Sequence, residues 1–235
     1  PTVRWRDVSV TRAEPRDGGF AVVGGSVTYE SMRLILATGV VDELPPIPGV
    51  AELWGRRVFQ CPYCHGYELD RGKLGVLATS PHSFQHAALV AEWGAPGQTV
   101  CFVSDGPEPG AEELADLASR DISIERQHVV RVSDVAAGEI AVHLQDGTAR
   151  RFAGLFLVPR TSVPGTFAKE LGCELEAGPT GSYYKTDATQ ETTTPGVFAC
   201  GDGARAFGNV ATAVADGALA GVAAHRSLVF PRRGA

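Results

Sequence analysis

The stretch from 73 to 120 does most to restrict the fold. Residues 73–79 (KLGVLAT) form a short apolar run of strand length, and residues 99–103 form a second. Between them Phe84, Ala87, Ala88 and Ala91 recur at helical spacing, which predicts a helix over 83–93. Residues 111–120 predict another, with Leu114 and Leu117 inward. Strand, helix, strand, helix in this order points to parallel strands, because parallel neighbours need a long crossover rather than a tight turn. The centre of the chain is therefore expected to be a doubly wound α/β unit.

The flanks read differently. Residues 2–10 (TVRWRDVSV) alternate like a half-buried strand. Asp17-Gly18-Gly19 and Gly24-Gly25 are turn signals, so 20–23 and 26–30 predict a hairpin. Residues 34–37 make a short apolar strand that ends at Thr38-Gly39. The Pro-rich run 44–49 cannot lie inside a helix and is expected to be a domain boundary. Beyond the central unit, 129–132, 139–144 and 152–158 predict a meander with Asp146-Gly147 as its hairpin turn. Val197-Phe198-Ala199 predicts a strand running into Cys200-Gly201-Asp202. A long Ala/Gly-rich helix is expected from 209 to 228, with Val210, Val214, Ala218 and Val222 as its packing stripe. The resulting division is 1–46, 47–160 and 161–235, with no solenoid repeat.

With 235 residues, 44% apolar and 20% charged, the chain can bury a core and is not disordered, collagenous or coiled-coil. No apolar run is long enough to predict a membrane span. A formal net charge of −6 argues against a nucleic-acid partner. Five cysteines are too few and too scattered for a secreted disulfide framework, so a reducing, cytoplasmic setting is expected. The sequence begins at Pro1 rather than methionine, which leaves room upstream for further residues, a signal peptide among them.

Cys101, Cys173 and Cys200 read as buried small hydrophobes. Cys61 and Cys64 do not. In Cys61-Pro62-Tyr63-Cys64 the spacing lets two sulfurs meet on one turn, and Pro62 suits a first helical position. A helix N-terminus favours the thiolate, which is the form that attacks a disulfide. Three other readings of the string compete. Half a zinc site needs two further ligands; His82 and His86, spaced i, i+4, lie well downstream, and no metal is expected. Haem attachment through Cys-x-x-Cys-His65 needs an axial partner, and Met32 is the sole methionine. A glutaredoxin-like fold would run a long helix out of the second cysteine, but Gly66 and Asp70-Arg71-Gly72 interrupt it.

Three strings occur in order: Ile35-Leu36-Ala37-Thr38-Gly39, Cys61-Pro62-Tyr63-Cys64-His65-Gly66, and 194–202 (TPGVFACGD). Together they resemble the low-molecular-weight thioredoxin reductase family of two-domain flavoproteins. The resemblance spans essentially the whole chain. It implies an α/β fold in which an FAD domain is split around a nicotinamide-type domain that carries the CxxC, and it implies a homodimer. In the FAD domain it assigns Thr38 and Gly39 to the passage beside the flavin. Gly201 and Asp202 fall at the position where a carboxylate receives a ribityl hydroxyl, although Asp202 also reads as a helix N-cap. Asn209, Val210 and Ala211 fall at the helix start that faces the flavin ring, and Val8 falls near the adenine. By family position Cys64 exchanges electrons with the flavin and Cys61 meets the substrate.

Departures from the family pattern are equally informative. The FAD fingerprint G-x-G-x-x-G is missing, and the chain is expected to be a truncated piece. Where the nicotinamide domain needs G-x-G-x-x-A, the sequence is Ala78-Thr79-Ser80-Pro81-His82-Ser83, whose extra Cβ atoms obstruct a pyrophosphate. No basic cluster follows the next strand at Ser104-Asp105-Gly106, so NADPH is not expected and NAD(P)H binding is doubtful. His65 stands where many relatives carry an acid. In this the string is closer to the dithiol oxidases of the gliotoxin and holomycin pathways, and His65 suits proton transfer from a thiol. The expected activity is oxidation of a small dithiol with oxygen as acceptor. The alternatives are reduction of a thioredoxin-like partner by a donor other than NADPH, and a flavin-less redox sensor or structural relic.

Overall fold

The computed structural model describes residues 3–103, 106–135 and 138–231. The chain divides into two compact units, one formed by Pro1–Asp42 with Thr161–Ala235, the other by Glu43–Arg160.

The central unit is built on a five-stranded parallel sheet in the order Val58–Phe59, Gly154–Leu157, Leu74–Leu77, Thr99–Phe102, Ser123–Glu125. Every residue of the three middle strands is buried. That is what a parallel sheet covered on both faces requires, and it explains their unbroken apolar runs. Helices His82–Ala91 and Ala111–Ser119 make the crossovers, close to the expected bounds. Leu117 is buried and Leu114 half-buried.

Two expectations for this unit change. Residues 152–158 are not one strand. Phe152 closes an antiparallel meander of Val129–Val135, Glu139–Leu144 and Ala149–Phe152, and Gly154–Leu157 then joins the parallel sheet beside Leu74–Leu77. The fully apolar GLFL run belongs in a doubly covered strand, whereas polar ARR pairs at a solvent-facing edge. The Pro-rich stretch, expected as a boundary, belongs to this unit. Leu44 and Ile47 pack on its core, and Pro48 O accepts the Val132 N–H at 2.8 Å. Gly49 has φ +90, and a Cβ there would lie 2.0 Å from Val132 O.

The other unit carries a three-stranded antiparallel sheet of Val10–Arg16, Gly19–Gly24 and Val27–Ser31. Residues 3–9 are exposed and outside any strand, so the alternation there does not produce the expected element. Leu34–Leu36 pairs in parallel with Val197–Ala199, and the helix Val210–Val229 packs on Phe198 and Cys200.

That helix turns its face opposite to expectation. Val210, Val214 and Val222 are 81%, 68% and 60% exposed, and Ala218 is exposed too. The buried face is Asp216, Ala220 and Ala224. Small side chains let the helix axis come close to the strand pair, so the alanines make the contact and the valines are left outside. Among the described residues no helix is long and apolar enough to cross a membrane.

Candidate active site

The strand Val58–Phe59 leads into the cysteine turn. Cys61 is the N-cap of a single helical turn, Pro62–His65, with Pro62 at its first position as expected. The Sγ atoms lie 2.6 Å apart, both cysteines being reduced. Cys61 Sγ collects the donors: it accepts the Cys64 N–H at 3.2 Å and the Cys64 thiol. Cys64 lies inside the turn and gains nothing from its N-terminus. The hydrogen bond to Cys61, then burial, then the Cys61 charge push its thiol up to about 11. The backbone N–H that such a turn offers a sulfur is met by Cys61 Sγ and not by Cys64.

Gly66 ends this turn because nothing larger fits. A Cβ there would lie 2.5 Å from both Pro62 O and the Trp93 ring. Trp93 also meets Tyr63 edge-on at 6.0 Å. The His65 ring stacks on Phe59 at 4.4 Å, and its Nδ1 lies 3.6 Å from Glu68 Oε2. Among the described residues His65 makes no hydrogen bond to either sulfur. His82 is exposed, while His86 is 8% exposed and its Nε2 lies 2.7 Å from Gln60 O. The two histidines are therefore not a matched ligand pair.

Burial holds the His86 imidazole below its ordinary pKa, with the Gln60 hydrogen bond opposing. Its neutral form is the folded one. As pH falls below about 6.5 the unfolded chain takes up a proton that the folded chain refuses, so stability is lost on acidification. The melting temperature is expected to fall between pH 7.5 and 5.5. His86→Gln, which does not titrate, should flatten that fall. An equal fall in the variant would remove His86 as its cause.

The loop after Leu74–Leu77 sits at the carboxyl end of the sheet where the strand order reverses, the usual dinucleotide crevice. Here its amides are already occupied. Ser83 Oγ accepts the N–H groups of Thr79 at 3.0 Å and Ser80 at 3.2 Å. The Thr79 hydroxyl donates to Val158 O at 2.7 Å. Ser80 Oγ is buried without a hydrogen-bond partner among the described residues. The adjoining cleft, about 290 Å³, is lined by Leu44, Pro45, Ile47 and Phe102 among others. A pyrophosphate bound here would have to displace Ser83 Oγ from the Thr79 and Ser80 amides. Ser104 and Asp105, where a basic cluster was not expected, lie outside the described residues.

In the other unit the paired strands end together, which brings Thr38-Gly39 beside Gly201-Asp202: Cys200 N–H donates to Leu36 O at 3.1 Å. Gly39 and Gly201 have φ +65 and +70. A Cβ on Gly203 would lie 2.9 Å from Gly39 O, and one on Gly208 would lie 2.1 Å from Asp202 Oδ1. Asp202 lies within a 3-10 turn, Gly201–Ala204, not at a helix N-cap. Asn209 takes that role for the long helix, in a capping box with Thr212. Among the described residues this leaves the Val210 and Ala211 N–H groups without acceptors. Thr38 Oγ1 and Tyr184 Oη are buried neighbours with no hydrogen bond of normal geometry. Glycines at close approach, an unsatisfied hydroxyl, an exposed carboxylate and open helix amides fit a flavin. Val8 is placed apart, its side chain over Gly24 of the antiparallel sheet.

Asp216 was not singled out from the sequence. It is fully buried and binds Arg205 through both carboxylate oxygens, with Gln190 Nε2 at 3.4 Å. The Arg205 guanidinium holds its carboxyl below the usual range, and the Gly201 N–H contributes to this. The ion pair thereby ties the Gly201–Ala204 turn to the long helix.

Fold and motifs place the chain among the disulfide oxidoreductases of the flavin-using class. A family described as pyridine nucleotide-disulphide oxidoreductase matches residues 3–217, and the chain belongs to that family. It is an enzyme family, which removes the reading as a relic. The chain is 30% identical over 242 residues to a thioredoxin reductase (aclD) of Aspergillus oryzae, covering 99% of this chain and 76% of that one. It is 34% identical over 215 residues to a thioredoxin reductase (tcpT) of Claviceps purpurea, covering 88% and 65%. It therefore spans 65–76% of the length of these relatives. Among solved structures, an oxidoreductase from Agrobacterium tumefaciens superposes with a TM-score of 0.91 at 45% identity, covering 99% of this chain and 77% of that one.

Proposed function

We propose that the chain is an FAD-dependent thiol–disulfide oxidoreductase that oxidises a small dithiol to a disulfide, with oxygen as the electron acceptor. The observation that carries this reading is the Ser83 hydroxyl bound to the Thr79 and Ser80 amides. A loop whose amides Ser83 already holds offers a nicotinamide donor little purchase, which supports a reaction fed by thiols rather than by NADPH.

Cys61 and Cys64 carry the chemistry. A substrate thiolate attacks Cys61 Sγ of the Cys61–Cys64 disulfide; the Cys61–Cys64 bond breaks and Cys64 leaves. His65 takes the proton of the incoming thiol and passes it to Cys64, the leaving sulfur. This requires the imidazole to turn from its stack on Phe59. The second substrate thiol, on losing its proton, attacks the substrate sulfur held on Cys61. The substrate disulfide forms and Cys61 departs as a thiolate. The substrate has lost two electrons and two protons; the pair has gained both electrons and one proton, on Cys64, while the proton of the second thiol passes through His65 to solvent. FAD, when bound, supplies the two-electron acceptor through which oxygen re-oxidises the pair. Thr38, Gly39, Gly201, Asp202 and the helix start at Asn209, Val210 and Ala211 are the residues that would hold it.

A second reading follows from the thioredoxin reductase names of the relatives: reduction of a thioredoxin-like partner, with a donor other than NADPH. Resemblance to the family and sparse cysteines support a homodimer in a cytoplasmic compartment.

The experiment is direct. In air and without NADPH, the flavin-loaded protein should consume oxygen when given dithiothreitol. Mixed anaerobically with micromolar NADPH, its flavin band should keep its absorbance. No oxygen uptake, with the flavin band still unbleached by NADPH, would replace the oxidase reading with the reductase one, and rapid bleaching by NADPH would overturn both.

A further inference from the structure

His86 is a polar side chain that the core does not need. It lies within the helix His82–Ala91, 8% exposed, with the edge of its ring toward Phe156 at 6.2 Å between centroids. Its Nε2 lies 2.7 Å from Gln60 O, and a carbonyl can only accept, so Nε2 carries the hydrogen. Nδ1 is then a bare acceptor. It is buried and has no partner among the described residues. An unsatisfied buried acceptor is a standing cost, and a leucine or phenylalanine would fill the same space without it. What the histidine offers and those residues lack is the bond to Gln60 O, on the residue that enters the cysteine turn.

We infer that His86 is a positioning residue: its Nε2–H grips the Gln60 carbonyl and so fixes Cys61 as the N-cap of the redox turn. The consequence is chemical. Cys61 Sγ accepts the Cys64 N–H and thiol only while Cys61 keeps the extended backbone of an N-cap, φ −95 and ψ 113. Those two donors stabilise the reduced pair. The Phe59–His65 stack and the Phe59–Phe156 contact hold the same turn from the side, whereas among the described residues the His86 bond is the one polar tether between the helix and this entry strand.

This inference rests on Cys61–Cys64 being a redox pair, so the wild-type equilibrium with dithiothreitol is measured first. A wild-type pair that forms no reversible disulfide overturns the proposed function itself. Given a working pair, His86→Leu should shift that equilibrium about tenfold towards the disulfide, equivalent to about 30 mV. Alkylation of Cys61 by iodoacetamide at pH 7 should slow by a similar factor. His86→Gln, whose amide Nε2 can still donate to Gln60 O, should stay within about threefold of wild type in both. A folded leucine variant with an unchanged equilibrium and alkylation rate would reduce His86 to packing, and equal shifts in both variants would show that the Gln60 bond is not the operative contact. Should the leucine variant not fold, the imidazole ¹⁵N spectrum of the wild type decides. Protonation at Nε2 alone supports the tether, and a hydrogen on Nδ1 overturns it.

Discussion

With Cys61→Ser or Cys64→Ser, thiol–disulfide turnover falls by at least about a thousand-fold, as expected when one member of a unit that acts together is removed. The two variants differ in how they stop. Cys64→Ser keeps the sulfur at the N-cap, where it retains the N–H of residue 64 as a donor. Given an aromatic disulfide such as Ellman's reagent, it should release one thiolate per chain and remain as a stable mixed disulfide. The reduced wild type should release two and close its own disulfide. Cys101, Cys173 and Cys200 are buried, and burial pushes the Cys101 thiol up to about 12, so the count is not confused by them in the folded protein. Normal turnover by both serine variants would end the redox reading.

The second large effect is expected at Asp216. In Asp216→Asn the carboxylate that binds Arg205 becomes a neutral amide inside a fully buried site. Arg205 keeps 40% of its side chain in solvent, so losing its partner costs about 2 kcal/mol, the worth of hydrogen bonds to a charged group, rather than the full penalty of a buried lone charge. The turn at Gly201–Ala204 should loosen with it. A melting temperature lower by about 5 °C is expected for a chain of this size, together with a reduced ratio of flavin to protein absorbance after gel filtration. The acid dependence differs from that of His86. Arg205 lowers the Asp216 pKa, so the stability it contributes is present above the ordinary carboxylate range and is lost only below about pH 4, as pH falls through the folded value. Unaltered stability and flavin content in Asp216→Asn would show that the pair does not organise the turn.

What could be read in advance was local. The crossover pattern of residues 73–120 and the cysteine turn need only near neighbours, and both stand where their residues put them. The glycines flanking Asp202 gave only half their meaning: Gly201 was visible as part of a motif, but Gly208 matters because Asp202 Oδ1 occupies the space a Cβ would take. The terminal helix misled because apolar size was taken as a guide to the buried face, while close packing there favours alanine. Trp93, His86 and Asp216 reach partners well removed in sequence, contacts no spacing rule finds, whereas Ser83 reaches amides only three and four positions away. Two left a trace. Gly66 after the CxxCH string implies that something large comes near, and Ser83 falls just past the degenerate glycine fingerprint, where a hydroxyl can reach back to the loop amides.

The strand Leu34–Leu36 finds its partner, Val197–Ala199, only after the whole central unit has intervened, and Arg33 binds Ser227 across 194 positions of sequence. The order of folding is thereby imposed during synthesis. At about 5–20 residues per second a ribosome needs roughly ten seconds or more to deliver that second half. The central unit, whose sheet strands lie close in sequence, can close meanwhile around its own core, carrying a finished redox turn. Until Val197–Ala199 emerges, Leu34–Leu36 lacks the parallel partner it has in the fold, and that delay leaves an apolar strand open to aggregation.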